Sequence, residues 1–206
     1  DGALLGEVSL ESAATHSARL LRSIDFLLGA HGRDVKDVGA FAVAAGPGSF
    51  TGIRIGVGAV KSLAFASGRP VVPVSTLAAL AAKLEGGPEA LVCPLLDAKK
   101  GEIYAALFEA GPGGLAEIVP QGAYAPEGFL ARLPAGRAVA FIGGGLDACR
   151  AAVLERLGGS ARFPDRSRFV AAEVARLGAA LLAAGRGVDA ASLEPIYYRR
   201  SQAEER

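Results

Sequence analysis

Apolar positions along the chain fall into two rhythms. From Gly39 to Ala45 they run almost without a break, the pattern of a short strand buried on both faces. From Ile53 to Ala66 they continue with only Arg54, Lys61 and Ser62 as sizeable polar interruptions, which predicts a helix apolar on nearly all sides. Between the two lies Gly46-Pro47-Gly48-Ser49-Phe50-Thr51-Gly52, rich in turn-forming residues. Strand, tight glycine loop and helix follow one another directly. That order points backbone N–H groups at whatever sits over the helix N-terminus.

The same periodicities place the other elements. A strand is predicted over Ala3–Ser9. A helix capped by Ser12 runs to about Gly29, with Leu20, Leu21, Ile24, Leu27 and Leu28 at helical spacing on one buried face. Val71–Val74 reads as a strand and Thr76–Leu84 as a helix capped by Ser75. The loop Glu85-Gly86-Gly87-Pro88 then divides an N-terminal lobe, 1–87, from a C-terminal lobe, 88–206. The second half opens with a strand at Ala90–Leu96 and a turn at Asp97–Gly101. Glu102–Glu109 returns as a hairpin arm, and Leu115–Val119 is a third antiparallel strand. A helix at Pro126–Leu133, a strand at Ala138–Ile142, a turn at Gly143–Gly145 and a helix at Leu146–Leu157 come next. Val170–Ala184 is a helix with Val174, Leu177, Leu181 and Leu182 on its apolar side, and Ser192–Arg200 is an extended tail. The order predicts an α/β protein of two related lobes, each a sheet flanked by helices. Asp1-Gly2 is a good hairpin turn without a strand before it, so an N-terminal hairpin arm is expected to be missing.

Composition narrows the function. Half of the 206 residues (51%) are hydrophobic and 21% are charged, enough for a real core and incompatible with a disordered chain. A net charge of +1 argues against a strong autonomous nucleic-acid binder, although not against RNA contact shared with a partner. Cys93 and Cys149 sit in apolar runs outside any CxxC and read as buried free thiols in a reducing compartment. The apolar runs are interrupted before the length of a membrane span. The expectation is a cytoplasmic protein with no membrane role.

The candidate chemistry is sparse. The glycine loop does not fit G-x-x-x-x-G-K-[ST], because Thr51 holds the sixth position and no lysine follows. Pro47 excludes G-x-S-x-G. As a nucleophile, Ser49 would need a base, and the only histidines are His16 and His31. Two readings stay open: glycines that merely allow a tight turn, or an anion-facing loop in degenerate form. The helix behind the loop has two readings as well. Either the chain's own elements cover its outer face, or that face is a subunit interface. Gly143-Gly144-Gly145-Leu146-Asp147-Ala148 matches G-x-G-x-x-A, but the following segment, Ala161–Phe163, looks too short to complete a βαβ unit. Ordinary turn chemistry and a turn over an adenosine pocket both remain. Asp97 and Glu102 flank Lys99 and Lys100 and read as a solvated hairpin tip rather than a carboxylate pair. His16, without an acidic or histidine partner four residues on, is a surface or interface residue and not a metal ligand.

Four blocks together resemble the bacterial TsaB (YeaZ) family: Gly46–Arg54, Ser75-Thr76-Leu77, Asp97–Tyr104 and the tail Glu194-Pro195-Ile196-Tyr197-Tyr198-Arg199-Arg200. The resemblance runs through almost the whole chain in order. It implies an actin/Hsp70/sugar-kinase-like (ASKHA) two-lobed fold. It implies a non-catalytic subunit that helps install threonylcarbamoyl on adenosine beside the tRNA anticodon. The implied partners are the paralogous catalytic subunit TsaD, the small ATPase TsaE, a second copy of the chain when alone, and tRNA only through the complex. No cofactor or metal is required, and weak or shared ATP or ADP binding is left open. By the same resemblance Gly46–Gly52 is a degenerate phosphate loop and Gly143–Gly145 a remnant of the adenosine turn. Ser12–Leu28 and Ile53–Ala66 match the pairing helices, with His16, Leu20, Arg54, Val57, Val60 and Lys61 as interface residues. The alternatives are a nucleotide-dependent kinase or ATPase of the same fold and, further off, a glycoprotease-like (M22) peptidase. The family's opening strand ending in Asp-Thr, its first phosphate element, has no counterpart here.

Overall fold

A computed structural model describes residues 2–10 and 16–198, apart from the side chains of residues 16–18. The chain divides into two compact units. One comprises residues 1–76 with 169–196, the other 77–168 with 197–206.

The first unit is built on two parallel strands, β1 (Phe41–Gly46) and β2 (Val71–Ser75), in register from Phe41 opposite Val71. They are joined by helix α2 (Phe50–Ser67), as a parallel pair requires. Gly68 ends α2 in the left-handed conformation, with φ 64° and its N–H donated to the Ala64 carbonyl. The two faces of the sheet are covered differently. Val43 turns toward Gly56 of α2, whereas Ala42 and Val74 meet Gly178 of α6 (Ala171–Ala183). A Cβ at Gly178 would sit 2.5 Å from that of Ala42, so only glycine lets α6 come this close. Val43, Ile53, Val57, Ala64, Val71 and Leu193 form the core. Helix α1 (His16–Gly29) packs on α2. Its Leu20, Ile24, Leu27 and Leu28 are half-buried, and Leu21 and Phe26 face solvent.

The second unit holds a five-stranded mixed sheet in the order β5-β4-β3-β6-β7. Strands β3 (Leu91–Lys99), β4 (Glu102–Gly111) and β5 (Gly114–Tyr124) form an antiparallel meander. Strands β6 (Val139–Ile142) and β7 (Ala161–Arg162) extend it in parallel. Between Lys99 and Glu102 the chain reverses through Lys100 and Gly101, with φ of 54° and 78°, the signs a tight hairpin turn needs. One face buries Leu91, Cys93, Leu95, Ile103, Ala105, Leu107, Val139 and Phe141 against α4 (Pro126–Leu130) and α5 (Leu146–Leu157). Val92, Ala106, Phe108 and Ala140 of the opposite face are buried too, so the alternation expected of a half-wet sheet is absent.

Several expectations are corrected. Residues 3–9 take no strand pairing, and Leu4, Leu5 and Leu10 are exposed, because a strand pattern forms nothing without an edge to pair with. The compact units do not divide at 85–88. Helix α3 (Thr76–Ala82) buries Leu77, Ala79 and Leu80 and from Leu77 on belongs with the second unit, while residues 169–196 return to the first. Ala161–Phe163, short as it is, contributes a two-residue strand that makes β6-α5-β7 a βαβ unit. Ser12, Arg199 and Arg200 lie outside the described residues, as does the side chain of His16.

Candidate functional site

The glycine loop begins where β1 ends. Gly46 adopts a φ of +135°, and a Cβ there would collide with the carbonyl oxygen of Ile196. Glycine is therefore required twice over at this position, by conformation and by the approach of the tail. Ser49 then caps α2. Its carbonyl accepts from the Ile53 N–H at 2.9 Å and its hydroxyl from the Gly52 N–H at 3.4 Å. Phe50, Thr51 and Gly52, expected in the loop, form the first turn of the helix. That turn carries no acidic side chain, so the positive end of the helix dipole is left without a carboxylate of its own. The guanidinium of Arg54 lies over the Phe50 ring at 4.9 Å from its centroid. The arrangement can hold an anion or a carbonyl oxygen at the helix start. Its serine is engaged as the cap, and the loop itself contains no lysine.

The ring of His31, at the far end of α1, lies beside Gly6, where a Cβ would be 3.1 Å from its Nε2. Among the described residues no cluster of three or more His, Cys, Asp or Glu side chains could hold a metal ion.

The second glycine turn owes its sequence to the backbone of β3. A Cβ at Gly143 (φ +115°) would strike the Leu95 carbonyl oxygen. One at Gly145 would lie 2.8 Å from the Leu96 nitrogen, and the Gly145 N–H donates to the Leu95 carbonyl at 3.0 Å. The glycines thus let α5 start directly over a neighbouring strand, with the Arg168 guanidinium beside Gly144 and 3.8 Å from the Asp147 carboxylate. In the first turn of α5, the Cys149 thiol donates to the Gly145 carbonyl at 3.3 Å. Burial pushes the Cys93 thiol well up and raises that of Cys149, so both stay protonated and inert near neutral pH.

Asp97 and Glu102 do not form a carboxylate pair. Asp97 accepts the Lys99 backbone N–H at 2.7 Å and binds the Lys99 ammonium at 2.5 Å. These bonds hold its carboxyl below the usual aspartate range. Glu102 sits opposite Lys99 across the hairpin.

The expected interface residues on α1 and α2 separate. Leu20 is half-buried and Arg54 exposed. Val57 is only 5% exposed, inside the core of its own unit, and Val60 is partly buried against that core. The Lys61 ammonium donates to the carbonyls of Ala191 and Leu193 at 3.0 and 3.2 Å. Val57 and Lys61 therefore serve their own chain, because the inward stripe of α2 passes through both positions. The prominent apolar side chains on these helices are ones the sequence did not single out: Phe65 at 84% and Phe26 at 68% exposed. Phe65 was legible only as one apolar residue in an apolar run.

The sequence model of the TsaD family, described as tRNA N6-adenosine threonylcarbamoyltransferase, matches residues 6–193. The tRNA threonylcarbamoyladenosine biosynthesis protein TsaB of Bacillus subtilis (strain 168) is 37% identical over 105 residues, 51% of this chain and 45% of that protein. The chain spans less than half the length of the curated TsaB relatives it matches. A crystal structure from Pseudomonas aeruginosa, described as an uncharacterized protein with similarity to peptidase YEAZ, superposes with a TM-score of 0.75 at 30% identity, over 90% of this chain and 85% of that one. YeaZ from Pseudomonas aeruginosa does so at 0.73 and 29%, over 88% and 84%. A glycine loop capped by serine, a glycine turn laid on a mixed sheet, the family match over residues 6–193 and the YeaZ structures over about nine-tenths of the chain place it in the TsaD family, in its TsaB (YeaZ) branch, with the ASKHA-type fold.

Proposed function

We propose that this chain acts in tRNA threonylcarbamoyladenosine biosynthesis as the partner of a TsaD-type transferase, without catalysis of its own. The observation that carries this reading is the glycine loop. It keeps the strand–turn–helix geometry of a phosphate site, but its serine is spent on capping α2 and no lysine is present. A loop of this kind retains shape and loses chemistry. The exposed phenylalanines of α1 and α2 supply what a partner subunit needs, an aromatic anchor on a rigid helix. A TsaE-type ATPase, a homodimer in the absence of TsaD, a cytoplasmic location and tRNA contact through the complex belong to the same proposal. So do Gly46–Gly52 as a degenerate phosphate loop and Gly143–Gly145 as an adenosine-turn remnant, with at most weak or shared ATP or ADP.

The experiment is reconstitution of the tRNA modification from purified components with and without this chain. Activity that disappears only without it supports the role, and undiminished activity rejects it. Phe65→Asp is expected to weaken pairing with the TsaD-type subunit by about 30-fold or more, as loss of an aromatic anchor does. The monomer's melting temperature should not change, because Phe65 is exposed. Unchanged affinity would exclude this face of α2. The kinase or ATPase reading predicts tight binding of ATP–magnesium by the isolated chain, which calorimetry would detect.

A further inference from the structure

After α6 the chain does not leave the first unit. It runs back across it as a strap with three attachments and a turn of its own. Val188 exchanges two backbone hydrogen bonds with Val71, both 2.8 Å. The Asp189 carboxylate accepts the Ser192 N–H at 2.7 Å and closes a turn. Leu193, 1% exposed, is a member of the core beside Val57 and Val43. The Ile196 N–H donates to the Ala45 carbonyl at 2.8 Å, and the Ile196 carbonyl rests on the face of Gly46 where a side chain would otherwise stand.

The span leading up to Leu193 is held from one side by a cation. Lys61 reaches the carbonyls of Ala191 and Leu193 from the inward stripe of α2. A charged donor on two carbonyls at the rim of a core is worth more than a neutral hydrogen bond, and the cost of removing it falls on the part-buried Leu193 carbonyl, since Ala191 is open to water. The strap contacts the glycine loop at its hinge, Ala45–Gly46. That is where β1 turns toward the start of α2, and where the backbone has a conformation open only to glycine.

From this we infer that the strap from Asp189 to Ile196, tethered by Lys61, is a latch that sets the shape of the glycine loop. The loop then has two conditions. With the strap docked, the Ile196 backbone fixes Ala45 and Gly46 and presents the α2 N-terminus in one arrangement. With the strap released, the same hinge loses the Ile196 backbone as a partner. Lys61 is a positioning residue in this scheme, acting on the loop through the strap from three helical turns away. The latch is independent of the partner and pathway proposed above. It is a property of the first unit alone.

Hydrogen exchange read by mass spectrometry on the full chain tests it. Lys61→Met keeps an aliphatic stem and removes the donor. Peptides covering 188–196 and 44–52 are both expected to exchange roughly tenfold faster or more, with the β3–β4 hairpin unchanged and Lys61→Arg restoring the slow exchange. Acceleration of 188–196 alone would mean that the strap can loosen without the loop, and would overturn the latch. So would unchanged exchange in both. If Lys61→Met also accelerates the hairpin, Leu193→Ala, which removes the apolar anchor instead of the cation, decides. Joint acceleration of strap and loop upholds the latch, and acceleration of the strap alone rejects it.

Discussion

Single residues in this chain carry roles that their side-chain chemistry alone does not reveal. Ser49 is the clearest case. In sequence it is a hydroxyl in a glycine loop, and in the fold it is the cap of α2. Ser49→Ala is expected to cost about 1 kcal/mol, the ordinary value of a lost cap, measured by denaturant unfolding, with Ser49→Asp recovering most of it. A loss of function without a loss of stability would instead give the hydroxyl a chemical role. Val57, expected at an interface, is a core residue, and Phe65, which the sequence did not single out, faces solvent. An acidic group at Val57 would be buried in the core of its own unit, so Phe65 is the position that probes an interface. Asp97 adds a pH dependence. Its carboxyl titrates below the ordinary aspartate value of about 3.9 because it bonds the Lys99 ammonium and amide. The folded-state value lies below the unfolded one, so the contribution to stability is fully present above about pH 4. It is lost as pH falls through the folded-state value. Proton NMR of the Lys99 amide should show a midpoint below 3.9, whereas a midpoint at or above it would mean that the tip is not formed.

Among elements, periodicity located nearly all helices and strands, and failed where an element depends on a distant partner. The run at 53–66 announced a helix, yet its start at Phe50 was set by the Ser49 cap and its inward stripe by β1. Residues 3–9 have strand spacing and form none. Ala161–Arg162 is too short to be read as a strand and becomes one because Val139 and Ala140 offer an edge. The turn Gly143–Gly145 was legible as glycine-rich, but not the reason for it, since β3 lies some fifty residues earlier in the sequence. That reason makes a prediction. Gly145→Ala places a methyl 2.8 Å from the Leu96 nitrogen, against backbone that cannot yield. The cost should be about 1–3 kcal/mol, seen as a lowered midpoint of thermal unfolding. A neutral result would mean that α5 can shift away from β3.

For the molecule as a whole, the class of protein, the order of elements, the place of the glycine loop and the absence from it of a lysine were all legible before folding. Local rules settle these: side-chain direction follows the backbone repeat of the same segment, and turn residues act within a few positions of themselves. The motif blocks settled the family for the same reason, being short and contiguous. Where the units divide, which stripe of α2 is covered, and that Lys61 holds a tail whose Ile196 meets Gly46 follow from the folded chain alone. Each of those depends on a segment that returns from far along the chain, residues 169–196 above all. An apolar pattern states that a face will be buried. It carries no information about which distant segment will bury it.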